Sequence, residues 1–198
     1  MSLPITELIK KYVVPYVLIG GLGGAVSMII LFLISLSFGK NPLFADYMFW
    51  NVILLSFTVF LAALNYHIKN GFRGYKIPQT IIFNILSTLI GIVVFVTFLN
   101  AIIVNLEEEV EDYKINSIEK IYKNKEGFKE RGIDEVELEQ YVKDIRLKDG
   151  RGIAFDIFQK LIFASPFIVF VAFVLILLMH FGMILTRDRM LRKSNNHG

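Results

Sequence analysis

The stretch YMFWNVILLSFTVFLAALNYH, residues 47–67, decides the fold of this chain. It contains no Asp, Glu, Lys or Arg over its 21 residues. As an α-helix rising about 1.5 Å per residue it would be about 31 Å long, which matches the hydrocarbon core of a bilayer at about 30 Å. A soluble core does not require a continuous apolar run of this length. The stretch therefore predicts a transmembrane helix.

Three further blocks of this kind lie on either side of it, at about residues 13–38, 77–106 and 161–186. The hydrophobic fraction of 55% and the mean hydropathy of +0.57 agree with this pattern, since soluble domains have roughly 45–50% apolar residues. The first block is too long for the apolar core of a signal peptide, which has about 7–15 residues, so we expect it to stay uncleaved. The predicted fold is all-α, a polytopic membrane protein with four transmembrane helices.

The chain is accordingly divided into three parts. Residues 1–106 hold the first three transmembrane helices, residues 107–160 form an insert outside the membrane, and residues 161–198 hold the fourth helix and a basic tail. Turn residues separate the blocks. Gly39 and Asn41 suit the end of the first helix, Pro42 cannot continue it, and Pro78 is tolerated in the first turn of the third.

The insert carries 11 Lys/Arg and 15 Asp/Glu, and apolar residues recur in it at helical spacing. Asp134 followed by Glu137 has the spacing of a capping box, and Gly132 just before it suits a helix stop. We therefore expect a helical hairpin broken near Gly132. The two apolar sets are Val110, Tyr113, Ile118, Ile121, Tyr122 and Leu138, Tyr141, Val142, Ile145.

Outside the long insert, basic residues are concentrated on one side of the four-span arrangement. They precede the first helix, lie in the link between the second and third, and follow the fourth, whereas the short first loop holds only Lys40. The insert also carries many basic residues, but long loops translocate largely regardless of charge. By the positive-inside rule both termini are cytoplasmic and the insert is periplasmic. The basic residues are Lys10, Lys11, Lys69, Arg73, Lys76, Arg187, Arg189, Arg192 and Lys193.

Residues suited to the membrane interface lie at the ends of these spans. Tyr47 and Trp50 belong to an aromatic belt at the outer end of the second helix. After the fourth helix, a run of basic side chains is predicted to anchor the chain against anionic lipid. These side chains are Arg187, Arg189, Arg192 and Lys193.

Glycines at positions 20 and 24 have the GxxxG spacing that lets two membrane helices approach closely. A dinucleotide-binding loop is excluded, because the segment lies inside an apolar helix and Val26 stands where the third glycine is needed. The close contact can lie within the bundle or with a partner protein. Packing within the bundle is the favoured interpretation, since four helices must pack somewhere.

A candidate intramembrane polar site consists of His180 and Asn84, with Asn65 and His67 near the same end. An ionisable residue inside a span is a functional candidate, and histidine titrates near neutral pH. The alternative is a neutral structural histidine that hydrogen-bonds Asn84 or a backbone carbonyl. The structural role is favoured, because the site is shallow and no carboxylate shares it.

Catalytic motifs are absent from the sequence, and we expect no enzyme. There is no cysteine, which excludes disulfides, thiolate metal sites and cysteine nucleophiles. No HExxH, GxSxG or Walker pattern occurs, and the three histidines have no metal-ligand spacing. We expect no metal, no cofactor and no nucleic-acid partner.

In its layout the chain resembles a family of small bacterial inner-membrane proteins of unknown function. The resemblance covers most of the chain and rests on four spans, on the element Asn41-Pro-Leu43, on the basic loop NYHIKNGFRGYK at residues 65–76, and on a charged helical insert before the last span. It implies a protein of the bacterial cytoplasmic membrane, and it transfers no catalytic residues.

Two functions follow as expectations. The favoured one is a non-enzymatic accessory or assembly subunit of an inner-membrane complex, which contacts partner subunits or a second copy through its helices and outer hairpin. The low polar content of the spans supports it. The alternative is a small oligomeric transporter or channel, whose path would be lined by His180 and by polar faces of helices two and three. Those faces carry Asn51, Ser56, Thr58, Asn84, Ser87, Thr88 and Thr97.

Overall fold

The computed structural model describes residues 14–69 and 77–195, with side chains for all of them except Ala45 and 184–195. This part of the chain contains helices and turns but no strand. The helices are α1 (Val14–Ser37), α2 (Ala45–Lys69), α3 (Ile77–Ile102), α4 (Glu107–Lys123), α5 (Lys125–Glu130), α6 (Glu135–Leu147) and α7 (Gly150–Asn195), with a 3₁₀ turn at Ile103–Asn105 after α3.

Four of these segments are long and apolar enough to cross a membrane. They are Val14–Ser37, Asp46–Lys69, Ile77–Asn105 and Gly150–Met183. The predicted all-α fold with four apolar spans is therefore confirmed. The helical part of the third segment is shorter than the predicted 77–106, since α3 ends at Ile102 and tightens into the 3₁₀ turn.

The last helix extends beyond the predicted 161–186 at both ends. It begins at Gly150, because the Asp149 carboxylate accepts a hydrogen bond from the Gly152 N–H (2.8 Å) and so caps the first turn. At the other end the backbone stays helical through the basic segment to Asn195. Pro166 lies inside this helix, where it removes one hydrogen bond to the carbonyl of Ile162.

The first helix is apolar on every side, and small residues mark the side that packs. Its buried positions recur every three or four residues, and they include Gly20, Gly21 and Gly24. This face lies against both α2 and α3. The opposite face exposes large aliphatic side chains such as Leu22 and Val26, which suits contact with lipid.

The fourth span packs against the same two helices from the other side. α7 contacts α2 and α3, so that α1 and α7 stand diagonally opposite each other in a four-helix bundle. Large side chains fill the space between them, among them Phe95 of α3 and Ile168 and Ile176 of α7, all of which are buried. The ring of Phe32 on α1 meets Phe95 edge to face, with 6.4 Å between ring centroids.

The segment between α3 and α7 folds back on itself. It is the part of the predicted insert that precedes α7, residues 107–147, and the name insert is used for this part from here on. The Tyr122 hydroxyl at the end of α4 donates to Glu139 (3.1 Å), and Lys125 pairs with Glu135. Arg146, at the end of α6, shares a depression with residues near the start of α4. These pairings make α4 and α6 antiparallel neighbours.

The turn before α6 forms as the sequence predicts. Gly132 has a φ of 82°, a left-handed value that favours glycine. The Asp134 carboxylate then accepts a hydrogen bond from the Glu137 N–H (2.8 Å), which confirms the predicted N-cap. Leu138 and Val142 are buried as expected. Tyr122 and Tyr141, which belong to the predicted apolar faces, are instead 41% and 54% exposed.

The short loop after α1 is tied to the insert. Asn41 is buried, and its Nδ2 donates to the backbone carbonyl of Glu109 (2.6 Å). Its Oδ1 accepts from the Leu43 N–H (3.0 Å). Asn41 therefore shapes the turn that follows α1 and holds the start of α4 against the end of the bundle. The end of α1 itself is formed at Gly39, which has a φ of 65° and is followed by the hydrogen bond from the Lys40 N–H to the Ser35 carbonyl (2.9 Å).

Candidate functional site

The glycine face of α1 makes the closest helix contacts of the bundle. A Cβ atom placed on Gly20 would lie 3.0 Å from the Cβ of Ala62, and one placed on Gly24 would collide with Leu55. The sequence singled out these two glycines and missed Gly21, where a Cβ would lie 2.8 Å from the backbone oxygen of Ser87. Within the described residues, these contacts lie inside the bundle.

On α3 the partner of this face is Gly91. A Cβ there would lie 3.1 Å from the backbone oxygen of Gly21, so the two backbones touch with no room for a methyl group. A signal was present in the sequence, since Ser87 and Gly91 have the small-xxx-small spacing of a packing motif.

At one end of the bundle a hydrogen bond joins α2 to α3. His67 is buried, and its Nε2 lies 3.0 Å from the Thr80 hydroxyl. The half-buried His180 on α7 is close enough to His67 to interact with it electrostatically. The structure therefore groups His67, His180 and Thr80, although the sequence gave no indication of Thr80. Asn65 lies on the exposed side of α2 and takes no part.

Asn84 was expected at a depth similar to that of His180, where the two side chains could form a hydrogen bond. This hydrogen bond is not formed, since neither amide atom of Asn84 has a hydrogen-bond partner. On α3, Asn84 lies one turn from Thr80, whose hydroxyl contacts His67.

Thr88 lies one turn further along the same face of α3 and is also buried with its hydroxyl unpartnered. Most threonines and serines in these spans bond a carbonyl of their own helix. Ser56 does so to Val52 (2.7 Å) and Thr97 to Val93 (2.8 Å). Asn84 and Thr88 therefore belong, with Asn51, to the buried residues of the spans whose polar atoms lack a hydrogen-bond partner.

A groove of 570 Å³, called the α3–α7 groove, passes beside Thr88. It lies between α3 and the part of α7 around Pro166, where Ser165 and the proline leave space. Its remaining walls are aliphatic and aromatic. They are formed by Ile81, Ile85, Leu89, Val169, Phe170 and Phe173.

The polar residues proposed for a transport path do not share one cavity. Thr88 lines the α3–α7 groove, whereas Thr97 lines a separate depression near Arg151 and Phe155. Asn51 is buried, and its Oδ1 has no hydrogen-bond partner. Ser87 donates to the backbone carbonyl of Val17 (3.2 Å), which joins α3 to α1.

Of the predicted interface anchors, Trp50 is exposed and Tyr47 half-buried on α2. The ring of Trp50 contacts that of Phe49, with 6.0 Å between centroids. The backbone of the basic segment is helical, but the side chains of Arg187, Arg189, Arg192 and Lys193 lie outside the described residues.

Ion pairs stabilise the far end of the insert. The Lys125 ammonium holds the pKa of the Glu135 carboxyl below its usual value, and Glu135 raises the pKa of Lys125 in return. The hydrogen bond to Glu139 raises the pKa of the Tyr122 hydroxyl. Tyr122 and Glu135 are exposed and Lys125 is half-buried, so we interpret these interactions as surface contacts near the ends of α4 and α6.

Among the described residues, no group of three or more His, Cys, Asp or Glu side chains could hold a metal ion. Comparison with known proteins adds no identity. A scan of protein-family models gives no match, and searches of curated proteins and of solved structures give none either. The resemblance to a bacterial inner-membrane family remains a prediction from the layout of the sequence.

Proposed function

We propose that this chain is a non-enzymatic accessory or assembly subunit of a bacterial inner-membrane complex. In this proposal it is a multi-pass protein of the cytoplasmic membrane, both termini are cytoplasmic, and the insert stands in the periplasm. The spacing of apolar spans and basic residues supports that orientation. The partner is another membrane protein that docks on the helices.

The α3–α7 groove with the unpartnered Thr88 hydroxyl is the observation that carries this proposal. A buried hydroxyl without a hydrogen bond costs about 1–3 kcal/mol. Thr88 lies near the middle of its span, where acyl chains offer no hydrogen-bonding group. We propose that in the complex the Thr88 side chain turns towards the groove, where a polar side chain on a partner helix supplies a hydrogen bond.

The low burial of α7 also supports a docked partner helix. In its most apolar stretch 22% of the residues are buried, compared with 33% to 44% in the other three spans. A line of exposed aromatic side chains follows this helix, including Phe163, Phe167 and Phe170. Among the four described spans, the most apolar stretch of α7 therefore has the smallest buried share.

Replacing Thr88 by Val tests the proposal, because it removes the hydroxyl and keeps the shape. In the isolated bundle we expect unchanged or slightly higher stability, by up to about 1 kcal/mol, since an unpartnered buried group is lost. In native membranes we expect the complex to weaken. A variant that is equally stable alone and equally well retained in its complex would contradict the role of the groove.

Photo-crosslinking locates the partner. A crosslinking residue at Leu89 or Phe170 in the groove should give the same protein adduct from both positions, and Thr88→Val should reduce its yield. Val26 on α1, which is 53% exposed on the opposite side of the bundle, is the matched control and should give lipid adducts. Lipid adducts alone from the groove positions would refute a docked helix.

The orientation has its own test, because the chain has no native cysteine. Single cysteines at Lys40, Asn124 and Asn195 can be labelled with an impermeant thiol reagent on cells with a permeable outer membrane. We expect labelling at Lys40 and Asn124 only. Labelling at Asn195 and not at Asn124 would reverse the proposed orientation.

A small oligomeric transporter is the second candidate function, and buried Asn84 is the observation that favours it. Both of its amide atoms lie unpartnered inside a span, one turn from Thr88 and one from Thr80. A path would continue from there to His67 and His180. Reconstituted protein that carries a pH-dependent flux, lost in His180→Gln, would place this function ahead of the accessory role.

A further inference from the structure

A pocket of 360 Å³, called the lysine pocket, lies where the insert meets α7. Lys120 on α4, Lys148 between α6 and α7, and Lys160 on α7 converge on it. Two helices of the insert and the first three turns of α7 must come together to form it. The other lining residues are Tyr113, Ser117, Ile121, Tyr141, Ile145, Ile153 and Asp156.

The charge of this pocket is opposite to that of its surroundings. Residues 107–160 carry 11 Lys/Arg and 15 Asp/Glu, so the segment is acidic as a whole. Three lysines and a single carboxylate line the pocket. An anion near the insert is therefore attracted to this depression and repelled by the acidic first turn of α4.

The single carboxylate is already neutralised. Both oxygens of Asp156 accept hydrogen bonds from the Lys148 ammonium, at 2.8 and 2.6 Å. Lys160 donates to the hydroxyl of Tyr113 (2.8 Å), which carries no charge. Lys120 makes no ion pair with any described carboxylate. Two of the three lysines that line the pocket thus make no ion pair with a described carboxylate.

The position of the pocket along α7 restricts its ligand. Lys160 directly precedes Leu161, where the continuous apolar stretch of α7 begins. Charged headgroups lie at this boundary between the hydrocarbon core and water. The hydroxyls of Ser117 and Tyr141 add hydrogen-bond donors, and lysine binds phosphate as a point charge. The volume falls in the range of small-ligand sites, about 300–1,000 Å³.

We propose that the lysine pocket binds the phosphate group of an anionic phospholipid, and that this lipid lies in the leaflet next to the pocket. Lys120 and Lys160 carry the binding charge, while Lys148 holds Asp156 away from the ligand. The acyl chains of that lipid continue along the apolar surface of α7. This inference does not depend on the proposed accessory function, since it concerns a different surface.

Binding can be measured by calorimetry on the full chain in a neutral detergent. The probes are a water-soluble short-chain phosphatidylglycerol, the matching phosphatidylcholine, and inorganic phosphate. We expect the anionic lipid to bind most tightly. Lys120→Gln and Lys160→Gln should each raise its Kd by about tenfold, the equivalent of one lost charge-assisted hydrogen bond. Lys160→Arg should keep most of the affinity.

Lys143→Gln is the control, because Lys143 is exposed on the opposite face of α6, outside the pocket, and the charge change is the same. It should leave the Kd unchanged. Helical content by circular dichroism verifies that each variant is folded, and Lys120, being exposed, is the safest to replace. Equal effects of Lys143→Gln and Lys120→Gln, or no binding of any probe, would overturn the site. Inorganic phosphate binding as tightly as the lipid would overturn the lipid source.

Discussion

A single methyl group placed on Gly21 should separate two helices, whereas the same group on Gly23 should not. A Cβ on Gly21 would lie 2.7 Å from Ile90 and 2.8 Å from the backbone oxygen of Ser87. A backbone atom cannot rotate away, so α1 must shift from α3. A Cβ on Gly23, two residues along the same helix, would meet nothing within 4 Å.

The magnitude follows from two opposing terms. Both substitutions to Ala gain helix propensity, at most about 1 kcal/mol each. Gly21→Ala also incurs the cost of overpacking a tight core, typically about 1–3 kcal/mol. We therefore expect Gly23→Ala to be neutral or stabilising, and Gly21→Ala to be less stable than Gly23→Ala by about 1–3 kcal/mol, the overpacking term alone.

Unfolding in mixed micelles with increasing sodium dodecyl sulfate measures this difference. Trp50, the only tryptophan in the chain, reports by fluorescence, and circular dichroism reports helix content. The two variants have the same composition, so nonspecific effects on the unfolded state cancel. Equal stability of Gly21→Ala and Gly23→Ala would refute the close contact between α1 and α3.

Three further predictions concern single contacts. Asp134→Ala should destabilise α6 by about 1 kcal/mol through loss of the N-cap, measured as faster amide exchange in α6, while Asp134→Ser should retain most protection. Lys125 lowers the pKa of Glu135, so their contact stabilises the insert at pH values above the unfolded pKa of glutamate, and this stabilisation is lost as the pH falls through the lowered value. An NMR titration should find the Glu135 pKa raised in Lys125→Gln and unchanged in the control Lys123→Gln. A double-mutant cycle of His67→Phe and Thr80→Val should give a coupling of about 0.6–2 kcal/mol, and a coupling near zero would contradict the hydrogen bond between them.

Local features were readable in the sequence because each depends on residues close together in the chain. The four spans follow from the length and hydropathy of continuous segments. The cap at Asp134 follows from a carboxylate three residues before the N–H that it accepts, and Gly132 from the left-handed backbone of the turn. Asp149 caps α7 with the same spacing to Gly152, although no cap was predicted there from the sequence.

The rotation of each helix about its own axis, which decides the face that packs in the core, could not be predicted from the sequence in the same way. In a soluble protein the polar face of a helix points to water and fixes its orientation. Here α1 is apolar towards lipid and towards the core alike, so only its small residues distinguish the two faces. That signal found Gly20 and Gly24 and did not separate them from Gly21, which makes the tighter backbone contact.

The sequence by itself therefore determined the number of spans, the helical character of the insert and its caps. Only the tertiary structure decided which polar groups meet. Asn84, which was expected to meet His180, has no hydrogen-bond partner, whereas His67 meets Thr80 between α2 and α3. The lysine pocket joins side chains from three segments far apart in the chain. Such groupings arise from helix packing between distant residues, and no local pattern encodes them.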